Sequence, residues 1–148
     1  MPLVASHVRA LAVVAVLAGG ALASANDDAQ PALDGYCPVA YRFGKAVKGK
    51  PEFASQHDGK TYLFPAAQAK QMFDANPNGF TVAYDGWSAT AIAEGKKVAA
   101  DPTVFERYGE RTYRFADEKA KQAFDQNRDD WIARADARWP KLAARHGR

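Results

Sequence analysis

The pattern of apolar and polar residues predicts two similar β-hairpins. In the first, apolar and polar residues alternate over 52–64 on either side of Asp58-Gly59. An Asp-Gly pair readily adopts the positive φ angles that a two-residue hairpin turn requires. The second hairpin spans 104–115 around a weaker turn at Gly109-Glu110. Strands joined by such short turns pair in the antiparallel direction.

Helical spacing of apolar residues predicts a helix after each hairpin and a third helix near the C-terminus. The first two helices span 66–76 and 117–127, and Asp117 is placed to cap the second. The third is an amphipathic helix over 129–142 that is closed by Pro140. Proline has no backbone N–H for the hydrogen bond that a helix interior needs, so we expect the helix to end there.

The two halves of the chain are related in sequence as well as in pattern. Aligning 34–76 with 85–127, an offset of 51 residues, gives 16 identities in 43 positions without a gap. Unrelated sequences would give about 3 identities over the same length. The chain therefore contains an internal duplication.

The predicted fold class is α+β: two β-hairpin-plus-helix units related by a pseudo-twofold axis, with a C-terminal amphipathic helix. The units span 34–84 and 85–135. A unit of this size buries too little apolar surface to be stable alone, so we expect both to share one domain over 34–148. Residues 26–33 are expected to form a flexible lead-in.

The N-terminus has the pattern of a cleavable signal peptide. Arg9 is followed by an apolar run over 10–18, and Ala23-Ser24-Ala25 offers small residues where signal peptidase cuts. The apolar run is too short to span a membrane, which takes about 20 apolar residues. We therefore expect residues 1–25 to be removed. The mature chain would begin at Asn26 in the periplasm and would not be inserted in the membrane.

The distribution of charge and the number of cysteines exclude some classes of function. Basic and acidic residues are interspersed and the formal net charge is only +3, so we expect no nucleic-acid partner. Cys37 is the only cysteine in the sequence, which excludes an intramolecular disulfide. A lone thiol in an oxidising compartment is either buried, bound to a ligand or used in intermolecular chemistry.

Motifs along most of the mature chain resemble the YHS domain family, and most closely its exported bacterial members with two units. The likeness rests on the segments 35–41, 44–53, 58–64, 101–102 and 135–142. The resemblance implies binding of a metal ion, with copper or iron as the metal. Exported relatives usually carry the cysteine in the second unit. Here it is Cys37 of the first unit, and Ser88 stands at the equivalent position of the second.

A metal site in this chain would be built around Cys37, with His57 as a second ligand. Sequence spacing adds no support, because the chain has no CxxC or HxxxH motif. The alternative is a non-enzymatic module that binds a small ligand or a protein, with Cys37 as a structural thiol. A thiol enzyme that uses Cys37 and His57 is the least supported interpretation, since nothing in the sequence fixes their geometry.

Aromatic residues that recur in both units are usually core residues, but they could line a pocket between the units. The aromatic candidates are Tyr36, Tyr62, Trp87 and Tyr113, with Ser88 beside Trp87. Because Cys37 and Ser88 are equivalent in the repeat, we expect them to face each other across the axis. Their Cα atoms would then be no more than about 12 Å apart, a few times the spacing of neighbouring residues.

Overall fold

The structure, a computed structural model, describes residues 30–145. In this range it has the predicted α+β fold, with five α-helices and two antiparallel two-stranded sheets. The predicted signal peptide, the predicted mature N-terminus at Asn26 and residues 146–148 lie outside the described residues. Within 30–145, no helix is long and apolar enough to cross a membrane.

The first unit contains one hairpin and two helices, introduced by a 3₁₀ turn. In chain order these are the turn Ala32–Gly35, α1 (Pro38–Arg42), β1 (Lys50–His57), β2 (Lys60–Phe64) and α2 (Ala67–Ala75). The hairpin turn has the predicted conformation, since Asp58 and Gly59 have φ angles of 49° and 74°. Leu33 is only 6% exposed, so the ordered domain begins earlier than the predicted end of the lead-in.

The second unit repeats the first, element by element. Its members are the 3₁₀ turn Ala83–Gly86, α3 (Ala89–Ala93), β3 (Asp101–Tyr108), β4 (Arg111–Phe115) and α4 (Glu118–Gln126). Each bound lies 51 residues after its counterpart. Asp117 caps α4 as predicted, accepting a hydrogen bond of 2.8 Å from the Ala120 N–H. The pseudo-twofold axis that would relate the units stays a prediction.

The units differ in the segment that comes after their second helix. After α2 the chain makes a short 3₁₀ turn, Pro77–Phe80, and enters the second unit. After α4 it forms the long helix α5 (Arg128–Ala143). The prediction that Pro140 ends this helix was wrong, because α5 continues past it and buries Leu142 in the core of the second unit. Burial of that leucine offsets the hydrogen bond that the proline omits.

Each unit has its own apolar core. The first is small and contains Cys37, Val39, Phe64 and Phe73. The second is larger, because α5 packs across α3 and adds aromatic and aliphatic side chains to it. Between the units, Tyr41 of α1 donates a hydrogen bond of 2.7 Å to the Pro102 carbonyl of β3. The Tyr41 ring also lies edge-on to Phe105 at 4.8 Å.

Two reciprocal ion pairs also join the units. Asp34, from the repeated Asp-Gly pair of the first unit, binds the Arg114 guanidinium of β4 at 2.6 Å. Its counterpart Asp85 binds the Lys60 ammonium of β2. Each aspartate therefore reaches across to the second hairpin strand of the other unit.

Candidate functional site

A cavity of about 490 Å³ lies between the two units. The first unit contributes residues 32–34 and the hairpin β1–β2 to its walls, while the second contributes residues 85–87 and the loop residues Ala99 and Ala100. This volume is within the range of pockets that bind small organic molecules. A pocket between the units was the less favoured interpretation of the recurring aromatic residues. This cavity, called the inter-unit cleft below, is the candidate site.

Aromatic rings form the apolar walls of the inter-unit cleft. Tyr62, Phe73, Phe80 and Trp87 all line it. Phe73 packs between two of the other rings, since its ring centroid lies 5.0 Å from that of Tyr62 and 6.5 Å from that of Phe80. Rings packed against one another in this way present fixed apolar faces to a ligand.

Ionisable groups stand among these rings. Three carboxylates, one ammonium and one imidazole line the inter-unit cleft: Asp34, Asp58, Asp85, Lys60 and His57. The His57 ring nitrogen lies 3.3 Å from the Asp58 carboxylate, which is exposed to solvent. An apolar wall with a few polar groups is the usual composition of a ligand pocket, in which the polar groups determine specificity.

The backbone beneath the cleft is strained in the same way in both units. Leu33 and Asp34 have φ angles of 58° and 57°, and their counterparts Tyr84 and Asp85 have 56° and 53°. A residue with a side chain adopts this left-handed conformation at a cost of about 1–2 kcal/mol. Such strain persists where the surrounding structure enforces it, and it is concentrated at functional sites. Here it accompanies the two aspartates that line the cleft and bind the opposite unit.

Arg114 lies directly behind the wall of the inter-unit cleft. Its side chain is 1% exposed, whereas that of its partner Asp34 is 69% exposed. The cleft residue Gly86 has a φ angle of 84°, and a Cβ atom added to it would lie 2.6 Å from the Arg114 guanidinium and 2.8 Å from Leu33, so a larger residue would be strained and would displace both side chains. Among the described residues, the Arg114 Nε–H has no hydrogen-bond partner. Asp34 is thus the carboxylate that forms an ion pair with a buried positive charge.

The cleft is open because no helix equivalent to α5 packs against the first hairpin in the described residues. In the second unit, α5 lies over the equivalent surface and its Asp136 carboxylate accepts hydrogen bonds from Tyr84 (2.8 Å) and Arg111 (3.0 Å). The Trp139 ring of α5 adds an edge contact with Tyr84 at 5.9 Å. The residues equivalent to Tyr84 and Arg111 are Leu33 and Lys60, and both line the cleft.

Cys37 is a buried core residue outside the inter-unit cleft. Its side chain is fully buried, and it lies in the small apolar core of the first unit. Burial raises the pKa of the thiol above its usual value, although hydrogen bonds from the Ala40 and Val39 backbone act in the opposite direction. The sulfur accepts the Ala40 N–H at 3.4 Å and so caps α1. A buried thiol of this kind is a poor source of thiolate for a metal ion.

Differences in hydrogen-bond partners explain why the first unit has cysteine at position 37 and the second has serine at the equivalent position 88. Ser88 is also buried, but its hydroxyl accepts a hydrogen bond of 3.0 Å from the Ala116 N–H and lies 3.4 Å from the Thr90 hydroxyl. The residues equivalent to Ala116 and Thr90 are Pro65 and Val39. Proline has no N–H and valine no hydroxyl, so a serine at 37 would lose both partners. Sulfur tolerates this apolar environment better than oxygen does.

The remaining predicted site residues are divided between the cleft and the rest of the protein. Tyr62, Trp87 and His57 line the cleft, whereas Tyr36, Cys37 and Ser88 do not. Tyr36 instead pairs with Lys48, whose ammonium lies 5.9 Å from the ring centroid. In residues 30–145, no three side chains of His, Cys, Asp or Glu come together as a metal site. The expected approach of Cys37 to Ser88 stays a prediction.

Comparison with known proteins does not assign the chain to a family. No family model matches the chain, and neither does any curated protein or solved structure. The resemblance to YHS domains therefore rests on its sequence motifs and stays a prediction.

The burial of Cys37 predicts slow reaction with thiol reagents. We expect Ellman's reagent at pH 8 to modify the native protein at least about 100-fold more slowly than the protein in guanidinium chloride, because the core must open first. The measurement is the rate of thionitrobenzoate release in the two conditions. Rapid reaction of the native protein would show that Cys37 is an accessible donor after all.

Sequence reasoning missed Asp34, Asp58, Lys60 and Asp85 as residues of the site. A signal was present for two of them, since the Asp-Gly pairs at 34 and 85 are identical in both units. Their partners lie 80 and 25 residues away in the chain. No periodicity or motif spacing relates residues so far apart.

Proposed function

We propose that this protein is an exported, non-enzymatic binding module that holds a small organic ligand in the inter-unit cleft. The observation that carries the proposal is the cleft itself, a cavity of about 490 Å³ with aromatic walls and charged groups between them. Export is supported by the signal-peptide pattern of residues 1–25. The structural role of Cys37 in the first core fits the same function.

Metal binding through Cys37 is less well supported by the geometry. The thiol is fully buried beside apolar side chains, while His57 lines the cleft, which Cys37 does not reach. A copper or iron site usually takes two or more strong donors around one ion. Copper or iron binding nevertheless stays a prediction of the YHS resemblance.

Filling the cleft with a side chain should abolish ligand binding. Ala99 is an exposed loop residue that lines the cleft, so Ala99→Trp adds a bulky ring there without disturbing a core. With indole as a neutral aromatic probe, we expect binding in the millimolar range or tighter, with shifts of the Trp87 side-chain N–H in ¹H–¹⁵N spectra. The same titration of Ala99→Trp should show the cleft signals unmoved.

The matched control places the same ring elsewhere. Ala133 is exposed on α5 and does not line the cleft, so Ala133→Trp should bind indole like the unmodified protein. If indole produces no shifts of cleft residues, or if Ala99→Trp binds it equally well, the proposed function is wrong.

A further inference from the structure

The charges that line the inter-unit cleft do not balance. Asp34, Asp58 and Asp85 contribute three negative charges, and Lys60 contributes one positive charge. Arg114, behind the wall, compensates Asp34, and Lys60 compensates Asp85. Among the described residues, the Asp58 carboxylate has an ion-pair contact only with the imidazole of His57. Two further cations lie at the other walls, since Arg42 and Lys97 are 5.4 Å and 5.7 Å from the ring centroids of Phe80 and Trp87. The unbalanced negative charge is therefore confined to the Tyr62 end of the cleft, beside Asp58 and Asp85.

This negative potential acts on the aromatic wall. The pKa of the Tyr62 hydroxyl is raised, first because the group is buried and then because Asp85 and Asp58 disfavour a second negative charge nearby. The negative charge of these carboxylates, which opposes ionisation of the Tyr62 hydroxyl, would attract a cation placed next to that hydroxyl. The face of a tyrosine ring also attracts cations.

The second unit shows a cation bound at the equivalent position. The Arg111 guanidinium lies 5.1 Å from the Tyr84 ring centroid and 5.3 Å from that of Tyr113, and it forms an ion pair with Asp136. In the first unit Tyr62 is equivalent to Tyr113, Leu33 to Tyr84 and Lys60 to Arg111, so one of the two rings is kept. Lys60, however, extends across to Asp85 of the other unit. A position that the protein fills with its own guanidinium in one unit is thus open to a ligand in the other.

We propose that the inter-unit cleft selects small organic cations, an ammonium or guanidinium group attached to an apolar body. The cationic group would lie over Tyr62 between Asp58 and Asp85, and the apolar body would contact Phe80 and Trp87. This inference rests on the proposed function and specifies its ligand class.

The test uses three probes that share one apolar body and differ in charge: 2-phenylethylamine, 2-phenylethanol and 3-phenylpropanoate. Their affinities for the full mature chain are measured at pH 7 by NMR titration. We expect the amine to bind at least about tenfold more tightly than the alcohol, through cation–π and carboxylate contacts, and the carboxylate to bind most weakly. Added salt should weaken binding of the amine alone.

A charge-removing variant isolates the contribution of the acidic groups. Asp58→Asn should lower the affinity for 2-phenylethylamine about threefold and leave 2-phenylethanol unaffected. Asparagine also tolerates the positive φ of 49° at this turn, so the hairpin should keep its shape. Glu110→Gln, in the turn of the second hairpin and outside the cleft lining, is the matched control and should change neither affinity.

The possible failures are distinguishable. If the alcohol or the carboxylate binds as tightly as the amine, the preference for cations is wrong and the proposed binding function stands. If the three probes leave the cleft signals unchanged while indole shifts them, the cation preference is likewise wrong. If indole also fails, both the preference and the proposed function are wrong.

Discussion

Asp34→Ala is expected to lower the free energy of unfolding by about 3 kcal/mol or more. Only the Arg114 side of this pair is buried, and the substitution removes the carboxylate that compensates it. A buried charge that loses its partner typically costs about 3–5 kcal/mol. Arg114 is 1% exposed and its Nε–H already lacks a partner among the described residues. The measurement is urea unfolding followed by circular dichroism.

The repeat provides a matched control for this prediction. Asp85 is equivalent to Asp34, but its partner Lys60 is 38% exposed, so Asp85→Ala should cost no more than about 1 kcal/mol. Adding Arg114→Leu to Asp34→Ala should recover part of the loss, since the first unit carries Leu63 at the equivalent position. Equal losses for the two aspartate variants would contradict the role assigned to the buried charge.

Cys37→Ser is expected to destabilise the protein by about 2 kcal/mol, although serine is nearly the same size. The new hydroxyl would be fully buried in the first core, where Val39 and Pro65 stand in place of the partners that Ser88 has. The hydroxyl oxygen could still accept the Ala40 N–H that the sulfur accepts now, but its O–H would be buried without an acceptor, and an unsatisfied buried donor costs about 1–3 kcal/mol. Urea unfolding of the variant measures the loss.

Restoring one partner should reduce this cost. In a Pro65→Ala background the chain regains an N–H at the position equivalent to Ala116, which donates to Ser88 in the second unit. Cys37→Ser should then be less destabilising by about 1 kcal/mol, measured as the coupling energy of a double-mutant cycle. A coupling energy of zero would show that the serine finds its partners elsewhere.

Local features of the fold were predictable because neighbouring residues determine them. Asp58-Gly59 defines its turn through backbone conformation alone, and Asp117 caps α4 three residues from its partner. The end of α5 was not predictable in this way. Burial of Leu142 in a core built from distant residues decides whether the helix continues beyond Pro140.

The candidate site was only partly predictable from the sequence. The recurrence of aromatic residues in both units selected Tyr62 and Trp87, which line the cleft. It also selected Tyr36 and Tyr113, which do not, and Tyr113 is buried in the core of the second unit. Whether Cys37 is available could not be judged, because burial depends on the packing of Phe64 and Phe73 around it. The role of the aspartates depends on contacts between the units, which have no counterpart in local spacing.

The position of α5 determines how many sites the duplicated chain can offer. Duplication of a hairpin-and-helix unit would by itself create two equivalent surfaces, but α5 lies across that of the second unit and occupies it with Asp136 and Trp139. Only the surface of the first unit remains open as a cleft among the described residues. Under the proposed function, the duplicated chain would therefore bind one ligand rather than two, because α5 already occupies the surface of the second unit.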